Sequence, residues 1–171
     1  MRKAHFLLIA ALGAFLVLPW SASATPENVP RNFRAHLTGD EEVAEEPVIT
    51  KARGQAIFQL SKDGSELSYK LIVANIENVT QAHIHLAPRG ENGPVVAWLY
   101  PAGPPPELVE GRFSGVLAEG VIMVDDLVGP LEEASMADLI DEMLAGNTYV
   151  NVHTLQYPPG EVRGQIFAGG R

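Results

Sequence analysis

Three short segments carry the residue types best suited to chemistry. In Gln81-Ala82-His83-Ile84-His85-Leu86 two imidazoles stand two residues apart. Tyr149-Val150-Asn151-Val152-His153-Thr154 supplies a third, and Glu161-Val162-Arg163-Gly164-Gln165-Ile166 supplies a carboxylate, a guanidinium and an amide. Alternate side chains on a strand share a face. Gln81, His83 and His85 therefore point one way, and Ala82, Ile84 and Leu86 the other. By the same period Asn151 and His153 oppose Val150 and Val152, and Glu161, Arg163 and Gln165 oppose Val162 and Ile166. The apolar sets belong to a core. If the three strands are neighbours, their outward polar faces merge into one patch.

That patch is a candidate metal site with His83, His85 and His153 as ligands. Two imidazoles at i and i+2 can chelate one ion, and a third closes the site. Imidazole without thiolate suits Cu(II), Zn(II), Ni(II) or Fe(II), and the expected cofactor is copper or zinc, or else none. Each ligating imidazole needs its other nitrogen held by a carbonyl or amide. Gln81, Asn151, Glu161, Arg163 and Gln165 form the polar surround. The competing reading is plain: exposed strand histidines often only make local hydrogen bonds. His36 reads as a surface residue of the first strand.

Other chemistry is excluded or unsupported. The 171-residue chain has no cysteine, so disulfides, thiolate metal sites and a cysteine nucleophile are impossible. Phosphate-binding glycine motifs and a nucleophile elbow are missing. No carboxylate pair can be defended as an acid–base couple. No catalytic residue is assigned, and the balance is against an enzyme. The net charge of −9 argues against nucleic acid, which needs a basic footprint. Asp40-Glu41-Glu42 and Glu45-Glu46 read as a solvated acidic loop. Asn78-Val79-Thr80 matches a glycosylation sequon.

The elements that would position these residues are mostly strands. β-type runs fall at Phe33–Leu37, Gln55–Leu60, Leu67–Val73, Thr80–Leu86, Val95–Leu99, Phe113–Leu117, Thr148–Thr154 and Val162–Phe167. Turn residues separate them, as in Lys62-Asp63-Gly64 and Tyr157-Pro158-Pro159-Gly160. This pattern predicts an all-β fold, an antiparallel Greek-key-like sandwich or barrel. One short helix is expected near residues 135–145. Ser135 and Asp138 form a capping box, and Met136, Leu139, Ile140, Met143 and Leu144 follow helical spacing to Gly146.

The N-terminus reads as an address. Met1-Arg2-Lys3, an apolar run from Phe6 to Leu18 and Ala22-Ser23-Ala24 make a signal peptide over 1–24. Residues 25–32 form a short tether and 33–168 the β domain. Cleavage leaves 147 residues with a net charge of −11 and no run long enough to span a bilayer. The expected location is secreted or periplasmic, with an unidentified partner there.

Several blocks resemble the CHRD family, the domain first described in chordin. They are Phe33-Arg34-Ala35-His36-Leu37-Thr38-Gly39, Gly54-Gln55-Ala56, Ala82-His83-Ile84-His85-Leu86 and Asn92-Gly93-Pro94-Val95-Val96. Gly146–Thr154 and Pro159–Ile166 complete the series. Where the family tends to have Glu-Val-Pro-Pro-Val after the first strand, this chain has Glu42-Val43-Ala44-Glu45-Glu46-Pro47-Val48. The resemblance implies an all-β extracellular domain but supplies no activity. More loosely, His83-Ile84-His85, Val152-His153 and the late Arg163 are similar in order to copper-zinc superoxide dismutase. That likeness implies copper on His83, His85 and His153, with Arg163 near the open site. The bridging histidine, zinc loop and disulfide have no counterparts. The expected function is thus a secreted binding module with a three-histidine metal site. The alternatives are an assembly module without metal and, behind both, a dismutase-like redox enzyme.

Overall fold

A computed structural model describes residues 29–169. The signal peptide expected over 1–24 and the first half of the tether expected over 25–32 lie outside the described residues. Eight strands follow in order: β1 (Asn32–Thr38), β2 (Arg53–Leu60), β3 (Leu67–Leu86), β4 (Val95–Tyr100), β5 (Val109–Ile122), β6 (Thr148–Thr154), β7 (Val162–Gln165) and β8 (Phe167–Ala168). One α-helix, α1 (Met136–Ala145), precedes β6.

The strands pair antiparallel in the order β2-β1-β7-β6-β3-β4. β2 also pairs with β3, so the path closes on itself as a barrel-like sheet. Closure explains the alternation along β1, where Phe33, Ala35 and Leu37 are buried and Arg34 and His36 exposed. The inward set joins Phe58, Leu71, Ile84, Val150, Val152, Val162 and Ile166 in one core. Each large apolar side chain buried this way is worth about 1.5–3 kcal/mol relative to exposure.

β3 is the backbone of the fold. Its 20 residues span two of the expected strands, Leu67–Val73 and Thr80–Leu86. The first half pairs with β2 and β5, and the second with β6 and β4. Between them Asn75 (φ 56°) and Asn78 (φ 55°) take the left-handed conformation that asparagine tolerates better than most residues. Asn78 Oδ1 accepts from the Gly111 amide at 2.8 Å, so the sequon asparagine holds a strand bend. β5 is likewise longer than the expected Phe113–Leu117.

Helix α1 keeps its predicted cap. Ser135 Oγ accepts from Asp138 N, Asp138 Oδ2 accepts from Ser135 N at 2.7 Å, and Gly146 (φ 76°) ends the helix. Met136, Leu139, Ile140 and Met143 are buried. Leu144, expected on that face, is exposed instead, because the stripe is narrower than the spacing suggested.

The larger departure concerns the polar face of β3, β6 and β7. It was expected to look outward. Every residue of β6 and β7 is buried, because three loops fold over that face. The segment after β1 (residues 39–50), the β3–β4 loop (87–94) and the β6–β7 turn (155–161) form this cover. Asn92 Nδ2 donates to Val43 O at 2.8 Å, and Tyr157 Oη donates to Ile49 O at 3.1 Å, tying the loops together.

Candidate metal centre

His83 and His85 sit on β3 and His153 on the adjoining β6, where Gln81 pairs with His153 and His83 with Asn151. Strand pairing alone therefore brings the three imidazoles together. One potential ligand nitrogen from each lies within 4.8 Å of the other two. All three residues are buried, His83 at 3% exposure, His85 at 8% and His153 at 6%.

The hydrogen bonds fix which nitrogens are available. His85 Nδ1 lies 2.9 Å from Gly93 O, and His153 Nδ1 2.9 Å from Pro158 O. A carbonyl only accepts, so both Nδ1 atoms carry the proton and both Nε2 atoms hold a lone pair. Backbone carbonyls thus orient two rings as a ligand's second nitrogen requires. His83 Nδ1 lies 3.2 Å from His153 Nε2, and donates to it in this tautomer. His83 Nε2 and His85 Nε2 are buried without a partner. Leaving buried acceptors unpaired costs about 1–3 kcal/mol each, which an ion would offset. The 3.2 Å gap also matches the span of about 3.3 Å between two nitrogens bound tetrahedrally to one zinc. His83 can offer either nitrogen: Nδ1, now turned to His153, or the unpartnered Nε2.

The rings are neutral. Burial first, then the neighbouring imidazoles of His153 and His85, lowers the pKa of His83 to about 3. Burial lowers His85 to about 4 against the opposing hydrogen bond to Gly93 O. Burial also lowers His153, opposed by Pro158 O. Neutral imidazole is the form that binds metal, so no proton need leave first.

Aromatic packing fixes the rings further. Trp98 meets His83 edge-on at 4.3 Å, and Tyr149 stacks on His85 at 4.8 Å and 10°. Arg163 lies 3.5 Å over the other side of this column, against the Tyr149 ring. Arg163 is 1% exposed, and its guanidinium donates to Asn92 Oδ1 at 3.0 Å and Glu91 O at 2.7 Å. The superoxide dismutase likeness implied an arginine beside an open site; here the loop carrying Glu91 and Asn92 closes over it.

The remaining predicted residues share the buried face without bonding to an imidazole. Asn151 Nδ2 donates to Glu42 Oε2 at 3.3 Å, and Glu161 Oε1 accepts from Thr50 Oγ1 at 2.6 Å. Gln165 Nε2 donates to Ala87 O and Gly146 O. Gln81 is half-buried.

Glu42, Trp98, Tyr149 and Gly93 also shape the site, and no motif or spacing in the sequence marks them. Glu42 belongs to the run read as a solvated loop, yet it reaches Asn151. Burial pushes its pKa up to about 7, against the lowering effects of Arg163 and Asn151. Gly93 has a stricter role. A Cβ there would collide with the Leu86 carbonyl, so only glycine lets this loop approach β3 and present its carbonyl to His85.

No curated protein matches the chain, and no solved structure does. Residues 33–166 match the CHRD domain. That match covers the strands that build the histidine cluster and most of the described chain, and the protein belongs to the CHRD domain family.

Proposed function

We propose that this protein is an exported CHRD-domain binding module that holds one copper or zinc ion on His83, His85 and His153. The observation that carries the reading is the pair of buried, unpartnered imidazole lone pairs beside a third oriented ring. Bound there, the ion would contribute Lewis acidity or, for copper, one-electron chemistry. The chain's own part is to hold neutral rings in place and keep water from them. Export is supported by the N-terminal pattern of charged, apolar and small-residue regions. Among the described residues no helix is long and apolar enough to cross a membrane. Its partner would be met outside the cytoplasm, over a domain spanning residues 33–168.

Titration of the purified protein with Cu(II) and Zn(II) tests the reading. Saturation at one ion per chain is expected. His83→Ala and His153→Ala should each weaken binding by more than about 100-fold, beyond the loss seen when only an orienting neighbour is removed. Unchanged affinity in both variants would reject the site.

A second reading is an assembly module in which the histidines are structural. The His83–His153 hydrogen bond favours it, because it pairs two imidazoles without any ion. It predicts no metal binding, and a loss of stability on histidine substitution. A redox enzyme stands further back, since Arg163 is committed to loop carbonyl and amide oxygens. Copper loading without superoxide or peroxide turnover would remove it.

A further inference from the structure

Residues 39–50 run as a strap between the two other covering loops. On one side Glu41 pairs with Arg89, and Val43 O accepts from Asn92. On the other, Ile49 O accepts from Tyr157, and Thr50 Oγ1 donates to Glu161. Between these contacts Glu42 reaches the sheet, where Asn151 Nδ2 donates to its Oε2 at 3.3 Å.

That contact is short of a donor. Asn151 is 2% exposed, and its Nδ2 also approaches Pro159 O at 3.5 Å, which fixes the orientation of the amide. Asn151 Oδ1 is then left buried without a partner, and so is Glu42 Oε1. A Cβ at Gly160 would collide with the Asn151 amide, so the backbone of the turn closes directly on it. An ionised carboxylate leaves both oxygens unpaired. A proton on Glu42 Oε1 satisfies both, because the O–H donates to Asn151 Oδ1 while Asn151 Nδ2 donates to Glu42 Oε2. The charges around Glu42 do not compete for it. Arg163 is the cation that faces it, but its guanidinium donates to Asn92 and Glu91. Glu161 faces it with like charge. On the strap itself Glu41 is paired with Arg89, and Asp40, Glu45 and Glu46 are exposed. Burial raises the pKa of Glu42 to about 7 against Arg163 and the Asn151 hydrogen bond, and Glu161 adds to the rise.

We infer that Glu42 keeps its proton in the folded chain, forms an acid–amide pair with Asn151, and through that pair latches residues 39–50 over the histidine cluster. Loss of the proton removes one of the two hydrogen bonds and leaves a buried charge. The strap is therefore held at low pH and released as the pH rises. The latch needs no ion on the histidines: among the described residues Glu42 has no hydrogen bond to any of the three imidazoles.

Carbon-detected NMR of the Glu42 carboxyl, with the Asn151 side-chain amide followed in the same samples, tests the pair, and hydrogen exchange of residues 39–50 tests the latch. The carboxyl should titrate near pH 7 instead of 4.5, and the Asn151 amide signals should move with the same midpoint. The Glu42 amide donates to Gly39 O within the strap. Its protection, corrected for the chemical exchange rate, should fall about tenfold between pH 6 and pH 8, the ratio that linkage gives for a group moving from 7 to 4.5 on release. Glu42→Gln keeps the donor and the acceptor without a titrating proton, so its protection should stay at the low-pH level at both pH values. A carboxyl titrating near 4.5, Asn151 signals that do not move, equal protection at both pH values in the unaltered chain, or a Glu42→Gln variant that follows the same fall would each overturn the inference.

Discussion

Burial sets the chemistry of the three imidazoles, and it leaves a signature in pH. Unfolded histidines take a proton near 6.5, whereas in the folded chain His83 waits until about 3 and His85 until about 4. The folded state therefore binds fewer protons in that range. Its stability is full above pH 6.5 and is lost as the pH falls toward the folded values. Each histidine contributes up to about 1.4 kcal/mol per pH unit. Glu42 works the other way. Its folded carboxyl holds a proton up to about 7 against 4.5 unfolded, so its contribution is present below 4.5 and lost as pH rises through 7. Three imidazoles outweigh one carboxyl, so the urea midpoint should fall between about pH 7 and pH 5, and His83→Ala should flatten that fall. A midpoint that rises on acidification would contradict this balance. Glu42→Gln should stabilise the protein by about 1–2 kcal/mol near pH 8 and change it little near pH 5, as denaturant melts at both pH values would report. The histidines were legible in the sequence because a period of two places them opposite valine, isoleucine and alanine. Glu42 was not, because a carboxylate within an acidic run carries no mark of burial. The carbonyls of Gly93 and Pro158 were equally hidden, since every residue has one.

The elements show how the site is assembled and where it is fragile. β3 carries two of the histidines and reaches β6 only after the bend at Asn75 and Asn78. That bend is why two runs read from sequence are one strand: asparagine usually marks a turn, and here it continues the strand through it. The capped helix was legible to its ends because Ser135, Asp138 and Gly146 are local signals. Ser135→Ala should cost about 1 kcal/mol in thermal or urea melts, with metal binding intact. Gly93→Ala is a harsher test. The added Cβ would meet the Leu86 carbonyl and force the β3–β4 loop away from His85. It should cost several-fold more than Ser135→Ala in the same melts. It should also weaken metal binding, which a remote change of equal stability cost would spare. The loops were the least legible part. Nothing in residues 39–50 or 87–94 announces that they cover a polar face; that follows from the sheet closing and leaving buried charge to be satisfied.

At the scale of the molecule, a closed sheet supplies the rigidity and three loops supply the seclusion. β2 and β3 close the ring, the apolar core fills it, and the polar face of β3, β6 and β7 lies under the loops. A chain without cysteine has no disulfide to hold such loops, and histidine is left as its strongest soft-to-borderline ligand. An ion bound only by the folded state would add about 2.7 kcal/mol at 100 times its Kd, so the melting temperature should rise with metal concentration. The three-histidine site is tested most sharply by Cu(II) titration followed by electron paramagnetic resonance, which reads how many nitrogens couple to the ion. One copper per chain with three imidazole nitrogens is expected, and one nitrogen fewer in His153→Ala. A signal that does not saturate at one ion, or a nitrogen count unmoved by that substitution, would contradict it.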